Sequence, residues 1–210
     1  MLNKYNETLA NLDNLTPFKI QKAYMEIVGQ INEHGGVLVP ANYVHFTKTE
    51  IDELYFAFRK NEKNNESQEE MLDALCDIVV CALGAHIMYL PFKRMETYCT
   101  SIFTRLDYLS EITKIINFSI KDISFEDLTP EILGILMHDV ESVAKYHKFN
   151  FDGALLEVFR NNFARLQFDE NGNVLKQPEF LADGSKNPDA GKVIKKLNLN
   201  PDLRPFLQDN

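Results

Sequence analysis

Two neighbouring helical patterns edged with acid constrain this chain more than any other feature. In the segment opening at Thr47, Ile51, Leu54, Tyr55 and Phe58 form one apolar stripe; in the segment opening at Ser67, Leu72, Leu75, Cys76, Val79, Leu83 and Ile87 form another. Spacings of three and four make each an amphipathic helix whose stripe has to be covered by a partner. Glu50 and Glu53 share a helix face, as do Glu70 and Asp73, because three residues turn a helix about 60° short of a full circle. Asp77 falls seven residues after Glu70, two turns less about 20°, on the same line. These acids border the apolar stripes instead of lying opposite them. An antiparallel pairing through the stripes therefore predicts four or five carboxylates converging at one seam.

Two unit charges about 6 Å apart repel by roughly 3 kcal/mol at an effective dielectric near 20, so the seam needs compensation. Hard divalent cations supply it: magnesium and manganese prefer carboxylate oxygen and keep positions open for water and phosphate. Four carboxylates balance two such ions. A structural reading competes. Thr47-Lys-Thr-Glu50 and Ser67-Gln-Glu-Glu70 have capping-box spacing, and acids near a helix N-terminus are favoured by the helix dipole without any metal.

The rest of the chain reads as further helix. Ile20, Tyr24, Ile27, Val28 and Ile31 predict a helix from Pro17 to about Glu33, stopped by Gly35 and Gly36, and Lys60 to Ser67 reads as a loop. Pro91 closes the second acid-edged helix. More helical patterns run over about 93–116, 130–147 and 152–166, with Thr129-Pro130 as a favourable entry to the middle one. Beyond Leu166, an Asn-Gly turn between strand-compatible residues predicts a short hairpin, and the Gly, Pro and Asn content of the remaining C-terminal residues predicts an irregular tail. Asp169-Glu-Asn-Gly-Asn173 lacks the full spacing of a calcium loop, so a turn is the better reading. The expected class is all-α: a helical bundle over residues 1–167, with residues 168–210 packing on it as hairpin and extended tail.

Composition narrows the partners. The 210 residues carry 22 basic and 31 acidic side chains, a formal net charge of −9, which disfavours a generic grip on nucleic acid polymers. Cys76, Cys81 and Cys99 show no zinc or disulfide spacing, and His34, His45, His86, His138 and His147 include no pair at metal-binding spacing. The N-terminal stretch lacks the apolar run of a signal peptide, and the longest apolar run, around Ile78 to Leu90, is too short to span a bilayer. A soluble protein of the reducing cytoplasm, without membrane contact, is expected.

Glu50-x-x-Glu53 followed after sixteen residues by Glu70-x-x-Asp73, within EIDELYFAFR and EEMLDALCDIVVCALGA, resembles the all-α nucleoside triphosphate pyrophosphohydrolases. MazG-like enzymes, phosphoribosyl-ATP pyrophosphohydrolases and dimeric dUTPases belong to that superfamily. A second similarity lies downstream, in EVFRNNFARL (157–166), GKVIK (191–195) and Pro201-Asp202-Leu203. Asn162 matches the family's asparagine, Arg165 stands where lysine is usual, and Lys192 and Lys195 match the later lysines. Members with a doubled glutamate carry Glu where this chain has Thr49.

The resemblance implies an activity: magnesium-dependent cleavage of a nucleoside triphosphate to a monophosphate and pyrophosphate, in nucleotide house-cleaning. It implies Glu50, Glu53, Glu70 and Asp73 as ligands of Mg²⁺, or of Mn²⁺, with Asp77 further out. Glu50 or Glu53 would accept the proton of the attacking water. Asn162, Arg165, Lys192 and Lys195 would bind substrate. It also implies a homodimer or dimer of dimers, for which the aromatic-rich 94–118 pattern is a candidate interface. Hydrolysis of phosphoribosyl-ATP or a related anhydride, and a catalytically silent nucleotide-binding or interaction module, are the alternatives.

Overall fold

The computed structural model describes residues 1–31, 40–64, 67–88 and 130–207. Its order of elements is α1 (Leu2–Ala10), a 3₁₀ turn (Leu12–Asn14), α2 (Pro17–Ile27), α3 (Pro40–Asn64), α4 (Gln68–Met88), α5 (Pro130–Tyr146), α6 (Phe151–Ala164) and a 3₁₀ turn (Arg204–Phe206). The described part is all-α, with isolated bridge pairs in the C-terminal segment. The helical patterns expected over about 93–116 and the closing role of Pro91 lie outside the described residues, as do Cys99, Gly35 and Gly36.

Helix α4 is the hub. Met71, Leu72, Leu75, Cys76, Ile78, Ala82, Ala85 and Ile87 are all buried, and α4 packs against α2, α3, α5 and α6. A helix apolar around most of its circumference can be satisfied only at the centre of a bundle. Helices α3 and α4 run antiparallel, as three cross-links along the seam show. Tyr43 near the start of α3 packs on Gly84 near the end of α4, where an added Cβ would meet ring atoms at 2.8 Å. Further on, the Ser67 hydroxyl donates to the Ala57 carbonyl at 2.6 Å, and the Lys60 ammonium pairs with Glu70.

Three local expectations are corrected. Helix α2 ends at Ile27 instead of near Glu33: Gly29 enters the left-handed region at φ 72°, and the N–H of Gln30 turns back to the Met25 carbonyl at 2.8 Å. Helix α3 begins seven residues before Thr47, so the Thr47–Glu50 capping box does not form. The buried Thr47 hydroxyl donates to the Tyr43 carbonyl at 2.7 Å, inside the helix. At the other end, α3 continues through Lys60 to Asn64, where the polar run predicts a loop. The N-terminal α1 carries Tyr5 against Phe163 and Phe168, closing the bundle beside α6.

The C-terminal segment folds back along α6. Asp169 builds the expected turn, its Oδ1 accepting from the N–H of Asn171 at 2.9 Å and of Asn173 at 2.8 Å, with Gly172 at φ 74°. Phe168 then bridges Val174, Lys176 bridges Val193, and Leu166 bridges Lys195. The Ile194 N–H donates to the Leu175 carbonyl at 2.9 Å, and the Lys196 N–H to the Arg165 carbonyl at 2.8 Å. Leu203 is buried in the core, and Phe206 covers Gly153 at the start of α6.

Candidate active site

With Thr47 buried in mid-helix, Glu50 has no cap to make. It lies half-buried at the α3–α4 seam, and Glu53, one turn later, is exposed at its rim. Asp73 and Asp77 face them from α4, both half-buried. Glu50, Asp73 and Asp77 are each perturbed by neighbouring acids, Glu53 among them. Burial pushes the Glu50 carboxyl up to about 7, helped by the charges of Glu53 and Asp73. Asp77 is pushed up to about 8, first by burial and then by Asp73, Glu50 and Glu53, while Lys195 pulls it back. Asp73 is also raised, by burial, then Glu53 and Glu69, against the opposing pull of Arg165. Desolvated like charges in one place are an unfavourable arrangement that persists where a ligand compensates it.

Glu70 stands apart from this group. It lies at the far end of the seam, its exposed carboxylate paired with Lys60, and the acid acting on Asp73 from that side is Glu69. Along α4 the converging positions are thus 73 and 77, four residues apart, with Cys81 a further four on. No spacing in the sequence marks Cys81 as a site residue; its thiol is raised by burial and then by Glu50 and Asp77, so it borders the same cluster. Thr49, beside Glu50, back-bonds to the His45 carbonyl at 3.0 Å.

Two cations complete the site. Arg165 caps the C-terminus of α6, and the bridge from Leu166 to Lys195 together with the Lys196–Arg165 hydrogen bond sets Lys195 beside it. The Lys195 ammonium is lowered by burial and by Arg165, and raised in turn by Asp77 and Cys81. Arg165 acts on both Asp73 and the buried Tyr24 hydroxyl, which burial lifts to about 12. Among the described residues neither cation forms an ion pair, and the buried Arg165 Nε has no hydrogen-bond partner. An unpaired buried guanidinium nitrogen beside a second cation is costly unless an anion arrives.

The other expected substrate contacts divide. Asn162 is half-buried one turn before Arg165 and so shares its side of α6. Lys192 is exposed and paired with Asp189 at 2.6 Å. A separate depression of about 400 Å³, lined by Glu141, Lys145, Lys148, Phe149, Asn150, Phe151 and Asp152, opens at the start of α6. It is about 20 Å along the helix from Arg165, by the rise per residue, so it does not belong to this cluster.

The donor set of Glu50, Glu53, Asp73 and Asp77 consists of carboxylate oxygens, the chemistry that magnesium and manganese prefer. Among the described residues no three His, Cys, Asp or Glu side chains stand in the arrangement of a ready-made metal shell. No helix among them is long and apolar enough to cross a membrane. Comparison of the chain with protein-family models, with curated proteins and with solved structures finds no match.

Proposed function

We propose that this protein is a magnesium-dependent nucleoside triphosphate pyrophosphohydrolase, with an all-α fold of the corresponding superfamily. One observation carries the reading: Glu50, Asp73 and Asp77 are half-buried on α3 and α4 with Glu53 exposed beside them, and the charges of Arg165 and Lys195, which have no ion-pair partners among the described residues, reach Asp73 and Asp77. A structural salt-bridge cluster would pair these charges directly. Keeping them apart suits a ligand that itself carries both signs, a polyphosphate with its divalent counter-ions.

Glu50, Glu53, Asp73 and Asp77 would hold the ions. When bound, magnesium supplies Lewis-acid polarisation of the phosphoanhydride and lowers the pKa of a coordinated water. Arg165 and Lys195 would take non-bridging phosphate oxygens through charge-assisted hydrogen bonds, and Asn162 adds a neutral donor on the same side. Glu50 and Glu53 are both within the acid group, and either serves to accept the proton of the attacking water. The products would be a nucleoside monophosphate and pyrophosphate.

Purified protein incubated with a panel of nucleoside triphosphates and magnesium, coupled to pyrophosphate detection, tests the reading. Release that requires magnesium and disappears in Glu53→Gln, with helical content retained, supports it. Release of orthophosphate only, or turnover kept in both Glu53→Gln and Asp77→Asn, defeats it.

A further inference from the structure

On the reading just proposed, the acids and cations account for the polyphosphate and leave the nucleoside without a partner. One aromatic ring stands at the end of the acid row. Phe46 lies on α3 four residues before Glu50, about 6 Å along the helix axis. Around that axis it falls between the two glutamates, about 40° from Glu50 and about 20° from Glu53. It is 41% exposed, whereas the apolar residues of α3 that face α4, Ile51, Leu54 and Ala57, are buried. Tyr55 and Phe56 are exposed as well, but Tyr55 sits about 180° from Phe46, and Phe56 lies beyond Glu53, about 120° around the helix from Glu50.

The Phe46 ring is held in place. Its edge meets the buried Tyr43 ring, with centroids 6.2 Å apart and planes at 81°, and the His45 ring lies 6.0 Å away on another side. Tyr43 is fixed in turn by close packing on Gly84 and by its hydroxyl, which donates to Gln30 at 2.8 Å. An exposed aromatic face positioned by a buried neighbour, one helical turn from a phosphate-binding cluster, has the makings of a base-stacking platform.

We infer that Phe46 is the nucleobase platform of this site and determines its selectivity for nucleotides over bare polyphosphate. Stacking accepts any base, because each has a π-face, so the platform separates nucleoside triphosphates from inorganic tripolyphosphate without distinguishing strongly among bases. Its removal weakens nucleotides about ten-fold or more, the size of one lost base–aromatic contact.

Calorimetric titration of the full chain in magnesium tests this, using α,β-imido analogues of dATP, dCTP, dGTP and dUTP, and inorganic tripolyphosphate. Phe46→Ala should weaken all four analogues at least about ten-fold more than tripolyphosphate, and Phe46→Trp should restore them. Circular dichroism establishes that both variants keep their helices. Equal weakening of nucleotides and tripolyphosphate, unchanged nucleotide affinity in Phe46→Ala, or a wild type that binds no nucleotide overturns the platform. Pyrophosphate release by the wild type is scored separately: nucleotide binding that depends on Phe46 without release refutes the hydrolase reading and leaves the platform standing.

Discussion

The backbone N–H of Lys196 donates to the carbonyl of Arg165 at 2.8 Å, so two cationic side chains thirty residues apart in sequence, Arg165 and Lys195, become neighbours. Placing like charges side by side costs free energy, and the ladder formed by Leu166–Lys195 and Lys176–Val193 offsets it with backbone hydrogen bonds. The tail thus brings a second positive charge, Lys195, to the α3–α4 seam beside Arg165 at the end of α6.

Lys195→Ala and Arg165→Ala should each raise the apparent substrate constant for pyrophosphate release by roughly 10- to 100-fold, the range of a lost hydrogen bond to a charged group. Lys192→Ala should change it less than about three-fold, since that exposed side chain already pairs with Asp189. Steady-state kinetics on the three variants check this; a Lys192 effect as large as that of Lys195 would reverse the assignment.

Glu70 and Asp77 separate in the same assay. Asp77→Asn removes a carboxylate from the acid group and should lower turnover by about 10- to 100-fold, as expected for losing a group that supports a catalytic metal. Glu70→Gln breaks an exposed ion pair with Lys60, worth about 1 kcal/mol or less, and should keep turnover within a few-fold of the wild type. Loss of turnover in Glu70→Gln would move the ligand set one turn toward the start of α4.

The helices of the core were legible because their apolar spacing is regular: Leu72, Leu75 and Val79 stand where their stripe predicts, and so do Ile51 and Leu54. Boundaries were less legible. Thr47-Lys-Thr-Glu50 has the spacing of a helix start, but Tyr43 packs on Gly84 and draws the helix back to Pro40, so tertiary contact outweighs a local capping preference. Which acids of α4 face the seam turned on a similar competition. Glu70, Asp73 and Asp77 lie near one line, and the crossing of the two helices sets the seam at 73 and 77, leaving 70 to Lys60. Lys195 shows the opposite limit: its neighbour Arg165 is set by a backbone bridge that no periodicity encodes.

The acid group makes stability of the metal-free protein depend on pH. Glu50 and Asp77 are raised from 4.5 and 3.8 to about 7 and about 8, so between these values the folded state binds more protons than the unfolded one. Stability then falls as pH rises from about 4 through about 8. Thermal melts in chelator should show a declining midpoint across that interval, with a shallower decline in Asp77→Asn. Magnesium should restore the midpoint most at the alkaline end, where the carboxylates are ionised and available to it. A flat profile, or an equal magnesium effect at both ends, would remove the repulsive cluster from the account.

Gly84 tests whether the seam must close for the site to work. Any side chain at this position strikes the Tyr43 ring, which is buried and tied through its hydroxyl to Gln30, so the ring cannot swing aside freely. Gly84→Ala should destabilise the protein by about 1–3 kcal/mol, the usual cost of overpacking a core. It should also push α3 away from α4 at the end nearest Phe46, Glu50 and Asp77. Tyr43→Phe keeps the packing and loses one hydrogen bond, for about 1 kcal/mol. If helix spacing governs the site, Gly84→Ala loses pyrophosphate release at temperatures where it is still folded, while Tyr43→Phe retains it. Equal losses in proportion to stability would instead mean that the two helices act only as scaffold.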